Sequence, residues 1–580
     1  MPGRVVIERD VPVPMRDGTR LAADIYRPED NARHPVLVQR IPYNKSSLSY
    51  VGGLIFSPIE AAERGYVVVV QDTRGRFNSE GHWRPFFDEA NDGYDTVEWA
   101  AQQPWSNGNV GVYGSSYMGV TALQAAVAAP PHLKAVLAYL TGSNYHEGWT
   151  YSGGAFELGF NFWWAGYFCW NALSRLSDAA TKRQAAQELV QLHSQQERFI
   201  RHLPLKEIGV FEKLAPYWRE WLDHPTYDEY WQAIDVARRA RAIRAPVLHV
   251  TGWYDNFLKG HLALAEALQS HPDAEIRANH RFIVGPWDHE AYMTTRLSAA
   301  GERDFGPSAI GGAPMMAPIA FQWFDRWLKG ELTPIANAAP VRYFVMGDDT
   351  WQESSSWPPP HTPVRYYLHS AGRANSRFGD GVLTTDSPAG PEPPDSYVYD
   401  PNDPVPSVGG RTLHPNFGLG GVADQSRVEE RGDVLVYTSA HLTRPLTIAG
   451  PVTVTLYVAS SAPDTDFTAK LVDVQPDGYC ANIAEGILRA RYRNGPDREE
   501  LLEPGKVYEL TIDLWAVAHT FRPGHRIRLE VSSSNFPRFD RNLNNVVRPG
   551  EGGPADVRTA TQWVLHDAER PSHVTLPLVS

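Results

Sequence analysis

Cysteine is nearly absent. Cys169 and Cys480 are the only two in 580 residues, too few and too far apart for a disulfide framework, and no CxxC pair or Cys/His cluster offers a zinc site. Both are expected to be buried free thiols. A basic run is missing as well: 54 Lys and Arg against 67 Asp and Glu leave a net charge of −13, which disfavours a polyanionic partner, so nucleic acid is not expected. There is no stretch of ~18 uncharged apolar residues. The start, MPGRVVIERDVPVPMRDGTR, lacks a basic segment followed by an apolar one. No membrane span is expected and the chain reads as cytoplasmic, with secretion by another route left open.

What is present is a soluble globular composition, 42% hydrophobic and 21% charged, with 18 Trp and 46 Pro pointing to aromatic-lined pockets and many fixed loops. Single cores stop growing near ~250–300 residues, so two or three domains are expected. RVVIERDVPVP, the turn MRDGTR and LAADIYRP read as a hairpin. HPVLVQRIPY, YVVVVQDTRG, NVGVYGSS and LKAVLAYL are then short, continuously apolar, β-branched runs, as strands buried on both faces should be. Helix-like segments alternate with them (SPIEAAERG, GYDTVEWAAQQPW, SYMGVTALQAAVAA), so the class is α/β with a parallel sheet over 1–144.

The alternation stops over 145–241, an aromatic-rich, helical stretch that reads as an inserted cap. It resumes over 242–335 with APVLHVTGWYD, RFIVGPWDH and the amphipathic MAPIAFQWFDRWLKGE. From 336 to 580 many short alternating runs between Pro and Gly, among them VRYFVMG, VRYYLHS, VTVTLYVASS and YELTIDLWAV, predict a β-sandwich of jelly-roll type.

Chemistry concentrates first at GVYGSSYMGV, residues 111–120. A nucleophilic serine on a sharp strand-to-helix turn needs small neighbours, because the backbone must bend tightly to expose the hydroxyl. Ser116 has Gly114 two residues before it, whereas Ser115 would have Tyr113 and Tyr117 in the flanking places, so Ser116 is the candidate. The downstream glycine, Gly119, lies one residue later than usual, and alone the pattern fits a serine N-cap beside a helix-packing glycine better than a nucleophile.

A serine hydroxyl needs a histidine base oriented by a carboxylate, and in such folds these follow in the order Ser, Asp or Glu, His. Asp255 ends one late strand and His289 the next, where open α/β sheets place their sites. Asp288 and Glu290 flank His289, but consecutive residues of an extended segment point to opposite sides, so no metal site is read there and no cofactor is expected.

GSSYMG, GWYD and GPWDH together resemble the superfamily of cocaine esterases and X-Pro dipeptidyl-peptidases, which also holds α-amino acid ester hydrolases and glutaryl-cephalosporin acylases. Its members carry G-x-S-Y-x-G, and this accounts for the late glycine. The resemblance spans nearly the whole chain and implies an α/β-hydrolase core, a helical cap and a C-terminal jelly roll. It also implies that Tyr43, in RIPYNK, supplies an oxyanion-hole hydroxyl beside the Tyr117 backbone N–H, and that DTRGRFNSEG is a loop after the next core strand. Ser116 would then attack an ester or amide carbonyl, His289 would take its proton and Asp255 would steady the imidazolium.

In the α-amino acid ester hydrolases an acidic pair two and three residues beyond the catalytic aspartate helps hold the substrate ammonium. Here those places are Phe257 and Leu258. An apolar pair cannot compensate a buried cation, so a small ester with a neutral or aromatic acyl group is the expected substrate. NFWWAGYFCW in the cap reads as acyl-pocket lining or as cap core, and His146 and Glu147 as candidates for an amine from another side. The enzyme alternative is an X-Pro dipeptidyl aminopeptidase; the alternative of another class is a silent hydrolase core beside a carbohydrate- or partner-binding jelly roll. Homo-oligomerisation is left open.

Overall fold

The computed structural model describes residues 4–52, 54–290, 296–414 and 418–579. The apolar runs of the first half all become strands of one ten-stranded mixed sheet. Its order is Val5–Pro14, Arg20–Pro28, Val67–Asp72, His34–Ile41, Ser106–Ser115, Leu133–Tyr139, Val247–Tyr254, Arg281–Asp288, Val341–Val345 and Thr350–Ser354. From Val67–Asp72 to Val341–Val345 every neighbouring pair is parallel, and Val67–Asp72 and Val247–Tyr254 are buried at every position. That double burial is why these strands read as unbroken apolar runs. The amino-terminal hairpin adds an antiparallel edge.

One difference from the sequence reading concerns VRYFVMG. Val341–Val345 pairs in parallel with Arg281–Asp288, and Thr350–Ser354 adds antiparallel to it. Both extend the first sheet although they lie beyond residue 336. A short alternating strand has no sequence feature that says which sheet it joins, and the partner decides.

Between residues 145 and 241 the chain forms a two-residue-per-strand hairpin, Tyr151–Ser152 with Ala155–Phe156, and then helices, the longest being Leu158–Arg175 and Ala179–Ser194. The first of these is apolar on most of its surface and buries Phe162 against Phe211 and Trp218 of the cap, and Trp164 and Phe168 against Tyr117 and Tyr43 of the sheet domain. The second, far more polar, buries only Ala185, Leu189 and Leu192. Cys169 and Cys480 are both free and buried.

Residues 362–578 form an eleven-stranded, almost wholly antiparallel sheet system whose longest pair is Leu446–Ser460 with Tyr508–Phe521. It fastens onto the first sheet where the site lies. The buried Arg411 guanidinium donates to the carbonyl of Trp253 at 2.8 Å and to that of Leu514 at 3.0 Å, and Tyr254 donates to the Asn482 carbonyl at 2.9 Å. The end of the Val247–Tyr254 strand, just before Asp255, is thereby tied to this second sheet system at two consecutive residues. Among the described residues no helix is long and apolar enough to cross a membrane.

Candidate active site

Ser116 stands between the strand Ser106–Ser115 and the helix Tyr117–Ala128 with φ 54° and ψ −127°. A non-glycine residue rarely adopts a positive φ, and such strain persists only where the surroundings enforce it. Two glycines permit the turn. A Cβ on Gly114 would lie 2.3 Å from the Met118 backbone, and one on Gly119 would lie 2.7 Å from the Thr141 side chain. Glycine is therefore demanded where the helix folds back on its strand and where it meets the next loop. Thr141 closes the arrangement, its hydroxyl donating to the Ser116 carbonyl at 2.7 Å, while the Ser116 N–H donates to the Tyr139 carbonyl at 3.0 Å.

The bend aims the hydroxyl at His289. His289 Nε2 is 3.0 Å from Ser116 Oγ, and His289 Nδ1 is 2.8 Å from Asp255 Oδ1. Asp255 is held in turn: its Oδ1 accepts from the Phe257 N–H at 3.2 Å and its Oδ2 from the Thr251 hydroxyl at 3.2 Å. With Nδ1–H committed to the carboxylate, Nε2 is left as the acceptor for the serine proton. Asp255 is fully buried while Ser116 keeps 8% of its surface exposed, enough for a reacting carbonyl to approach. Ser115, by contrast, is wholly buried and its hydroxyl has no partner.

Tyr43 is buried and packs its ring between Tyr50, at 4.6 Å, and Phe168, at 5.2 Å. Its hydroxyl accepts from Trp164 Nε1 at 3.1 Å and interacts with the Ser116 side chain. Because the indole N–H can only donate, the tyrosine proton is left to point toward the serine. Burial raises the phenol well above its ordinary pKa, so it stays protonated and a donor. Tyr117 places its side chain elsewhere: its hydroxyl accepts from the Phe86 N–H at 2.8 Å and donates to Glu89 at 3.0 Å. Its backbone N–H stands at the first turn of the helix, where donors have no intrahelical acceptor.

The walls are aromatic. Phe257 meets His289 edge-on, with centroids 4.8 Å apart, and stacks on Trp149 at 3.8 Å. Phe160 and Trp164 of the cap lie against Trp149. So Trp164, in the middle of NFWWAGYFCW, faces the site, while Trp170 of the same run is 47% exposed. Glu147 and His146 are engaged elsewhere: Glu147 pairs with Lys259 at 3.0 Å, and His146 is fully buried and bonded to the Pro225 carbonyl. Among the described residues no group of three or more His, Cys, Asp or Glu is arranged to hold a metal ion. Trp149 is the site residue sequence reasoning left unassigned, since one tryptophan among 18 carries no mark of its direction, whereas Trp164 lies within the run read as pocket lining or cap core.

Comparison with known proteins points the same way. Residues 17–291 match the family model for X-Pro dipeptidyl-peptidase (S15 family), and 335–575 match that for the X-Pro dipeptidyl-peptidase C-terminal non-catalytic domain. A cocaine esterase of Rhodococcus sp. (strain MB1 Bresler) is 39% identical over 583 residues, covering 100% of this chain and 99% of that protein. Among solved structures, an α-amino acid ester hydrolase superposes with a TM-score of 0.82 at 26% identity, covering 100% of this chain and 97% of the other. An aminopeptidase from the marine sediment archaeon Thaumarchaeota archaeon does so with a TM-score of 0.82 at 27% identity, covering 99% and 97%.

Proposed function

Since the chain belongs to the cocaine esterase and X-Pro dipeptidyl-peptidase superfamily and is a serine ester hydrolase, we propose that it cleaves esters of small neutral or aromatic acids with Ser116 as nucleophile. The observation that carries this reading is the hydrogen-bonded line from Ser116 through His289 to Asp255, behind a serine held at positive φ. We read the ten-stranded sheet with its helices as an α/β-hydrolase core, residues 145–241 as its cap and the eleven-stranded system as a jelly roll.

In the reaction Ser116 Oγ attacks the ester carbonyl while His289 Nε2 takes its proton. Asp255 stabilises the imidazolium without itself being protonated. The oxyanion receives the Tyr43 hydroxyl and the Tyr117 N–H, donors aimed at charge that develops only in the transition state. His289 then returns its proton to the leaving alcohol, and water hydrolyses the acyl-enzyme by the same path. Phe257 and Trp149, stacked beside the base, favour an apolar or aromatic acyl group. Phe257 and Leu258 stand where an acidic pair would hold an ammonium, and Glu147 is already paired with Lys259.

The test is turnover of 4-nitrophenyl acetate, butyrate and benzoate beside phenylglycine methyl ester and Ala-Pro 4-nitroanilide. Hydrolysis of the neutral esters alone supports the reading. Release from the Ala-Pro amide would move it to the dipeptidyl peptidase, and failure of a fluorophosphonate to label Ser116 would favour a silent core.

A further inference from the structure

On the far side of the aromatic layer that backs Tyr43 lies a surface cleft of about 390 Å³, lined among others by Arg76, Trp83, Arg175, Lys213 and Tyr217. Its floor is unusual in its hydrogen bonding. Arg76 is 3% exposed, and among the described residues its side chain makes one hydrogen bond, from Nε to the Pro42 carbonyl at 3.2 Å. Among the described residues no carboxylate lies within ion-pairing distance of it. Its guanidinium sits over the rings of Phe168, at 4.4 Å, and Trp83, at 4.7 Å. Those rings offset part of the cost of burying a cation but accept no planar hydrogen bond. Burial lowers the Arg76 pKa to about 10, so the side chain is still charged at neutral pH.

Two further buried donors of the lining have no hydrogen-bond partner among the described residues, the Trp83 indole N–H and the Tyr217 hydroxyl. The Trp83 and Tyr217 rings are 5.6 Å apart and the Arg76 guanidinium lies 4.7 Å from the Trp83 ring, so the three groups share one floor. At the rim Arg175 donates only to the backbone carbonyls of Phe77, Ser79 and Gly81. The lining holds no Asp or Glu, in a chain whose net charge is −13. Leu176, Leu214 and Pro216 supply apolar wall.

We propose that this cleft is a binding site for a small organic monocarboxylate, whose two oxygens engage the Arg76 guanidinium side by side while Trp83 and Tyr217 donate to them and the apolar wall covers its hydrocarbon part. A guanidinium presents paired N–H groups matched to a carboxylate, and the apolar wall selects an organic acid over inorganic phosphate. Carboxylic acids are also what ester hydrolysis releases; that link rests on the esterase reading, whereas the site does not.

Isothermal titration calorimetry of the full chain with sodium benzoate, with acetate and inorganic phosphate alongside, tests this independently of turnover. The expected result is one saturable site, weakened about 10-fold or more in Arg76→Met, as fits loss of a charge-assisted pair, and roughly 2–5-fold in Arg175→Met, whose charge is at the exposed rim. Unchanged affinity in a folded Arg76→Met would place benzoate elsewhere and overturn the proposal, as would no binding at millimolar benzoate or tighter binding of phosphate. If Arg76→Met does not fold, Arg175→Met and Tyr217→Phe decide, and unaltered affinity in both overturns it. Loss of esterase activity in Ser116→Ala together with intact benzoate binding separates the two readings.

Discussion

Two adjacent serines at the head of one helix have opposite fates, and backbone direction decides between them. Ser115 still belongs to the strand and turns its hydroxyl into a sealed interior, whereas Ser116 occupies the strained turn and meets His289. Ser116→Ala is expected to lower kcat for 4-nitrophenyl butyrate by about 10⁴-fold or more, and Ser115→Ala to leave it within roughly 2-fold, because no hydrogen bond is lost. Steady-state kinetics on both variants checks the pair, and a dead Ser115→Ala would reverse the assignment. Tyr43→Phe is expected to cost about 10²-fold in kcat. Trp164→Phe keeps an aromatic ring but removes the N–H that fixes the Tyr43 proton. Its expected loss is smaller, falls on kcat rather than KM and vanishes when Tyr43 is already Phe. Additive losses in the double variant would mean that Trp164 acts through packing alone.

At the scale of the element, the turn around Ser116 is built by what its glycines exclude. Gly114→Ala would drive a methyl into the Met118 backbone, which cannot rotate away as a flexible side chain could. The helix must then lift from its strand, at an expected cost of about 1–3 kcal/mol in unfolding free energy. Because the helix carries the Tyr117 N–H, kcat should fall further than stability would explain; thermal melts beside kinetics measure both, and a variant with wild-type kcat would show that the elbow tolerates the shift. This is also the scale at which the sequence was most legible. Asp255 and His289 were readable because each follows a buried run, and the sheet order brings those run ends together. The strand Cys480–Arg489 was missed: Ala481, Asn482, Ala484, Glu485 and Gly486 are residue types depleted in strands, so its sequence carries little β signal. Arg76 was passed over within DTRGRFNSEG, since an arginine in a loop reads as solvated until the fold shows rings on its faces and no acid beside it.

For the whole molecule, pH sets how firmly these layers hold. His249, on the Val247–Tyr254 strand, is buried together with His261 and His280, its ring 5.3 Å from that of His261 and 6.1 Å from that of His280. Burial lowers all three, His261 and His280 to about 4 and His249 well below its ordinary value. Asp255 opposes the shift at His261, while Arg281 and His271 add to it at His280. Unfolded histidines titrate near ~6.5. Above that pH both states are neutral and nothing is lost. As pH falls toward 4 the unfolded chain binds protons that the folded chain refuses, so folding weakens. Asp72 and Asp466, pushed up to about 6 by burial, pull the other way, because the folded state takes their protons first. The net slope therefore mixes both kinds of group, and a difference between variants isolates one. His249 has no hydrogen-bond partner on either ring nitrogen, so His249→Leu removes a titrating group without orphaning another. Relative to wild type, that variant should gain up to about 2 kcal/mol in unfolding free energy between pH 7 and pH 5, the limit set by ~1.4 kcal/mol per pH unit below ~6.5. Urea unfolding midpoints at the two pH values measure the gain, and parallel pH profiles would mean that the folded protein already accommodates a charged His249.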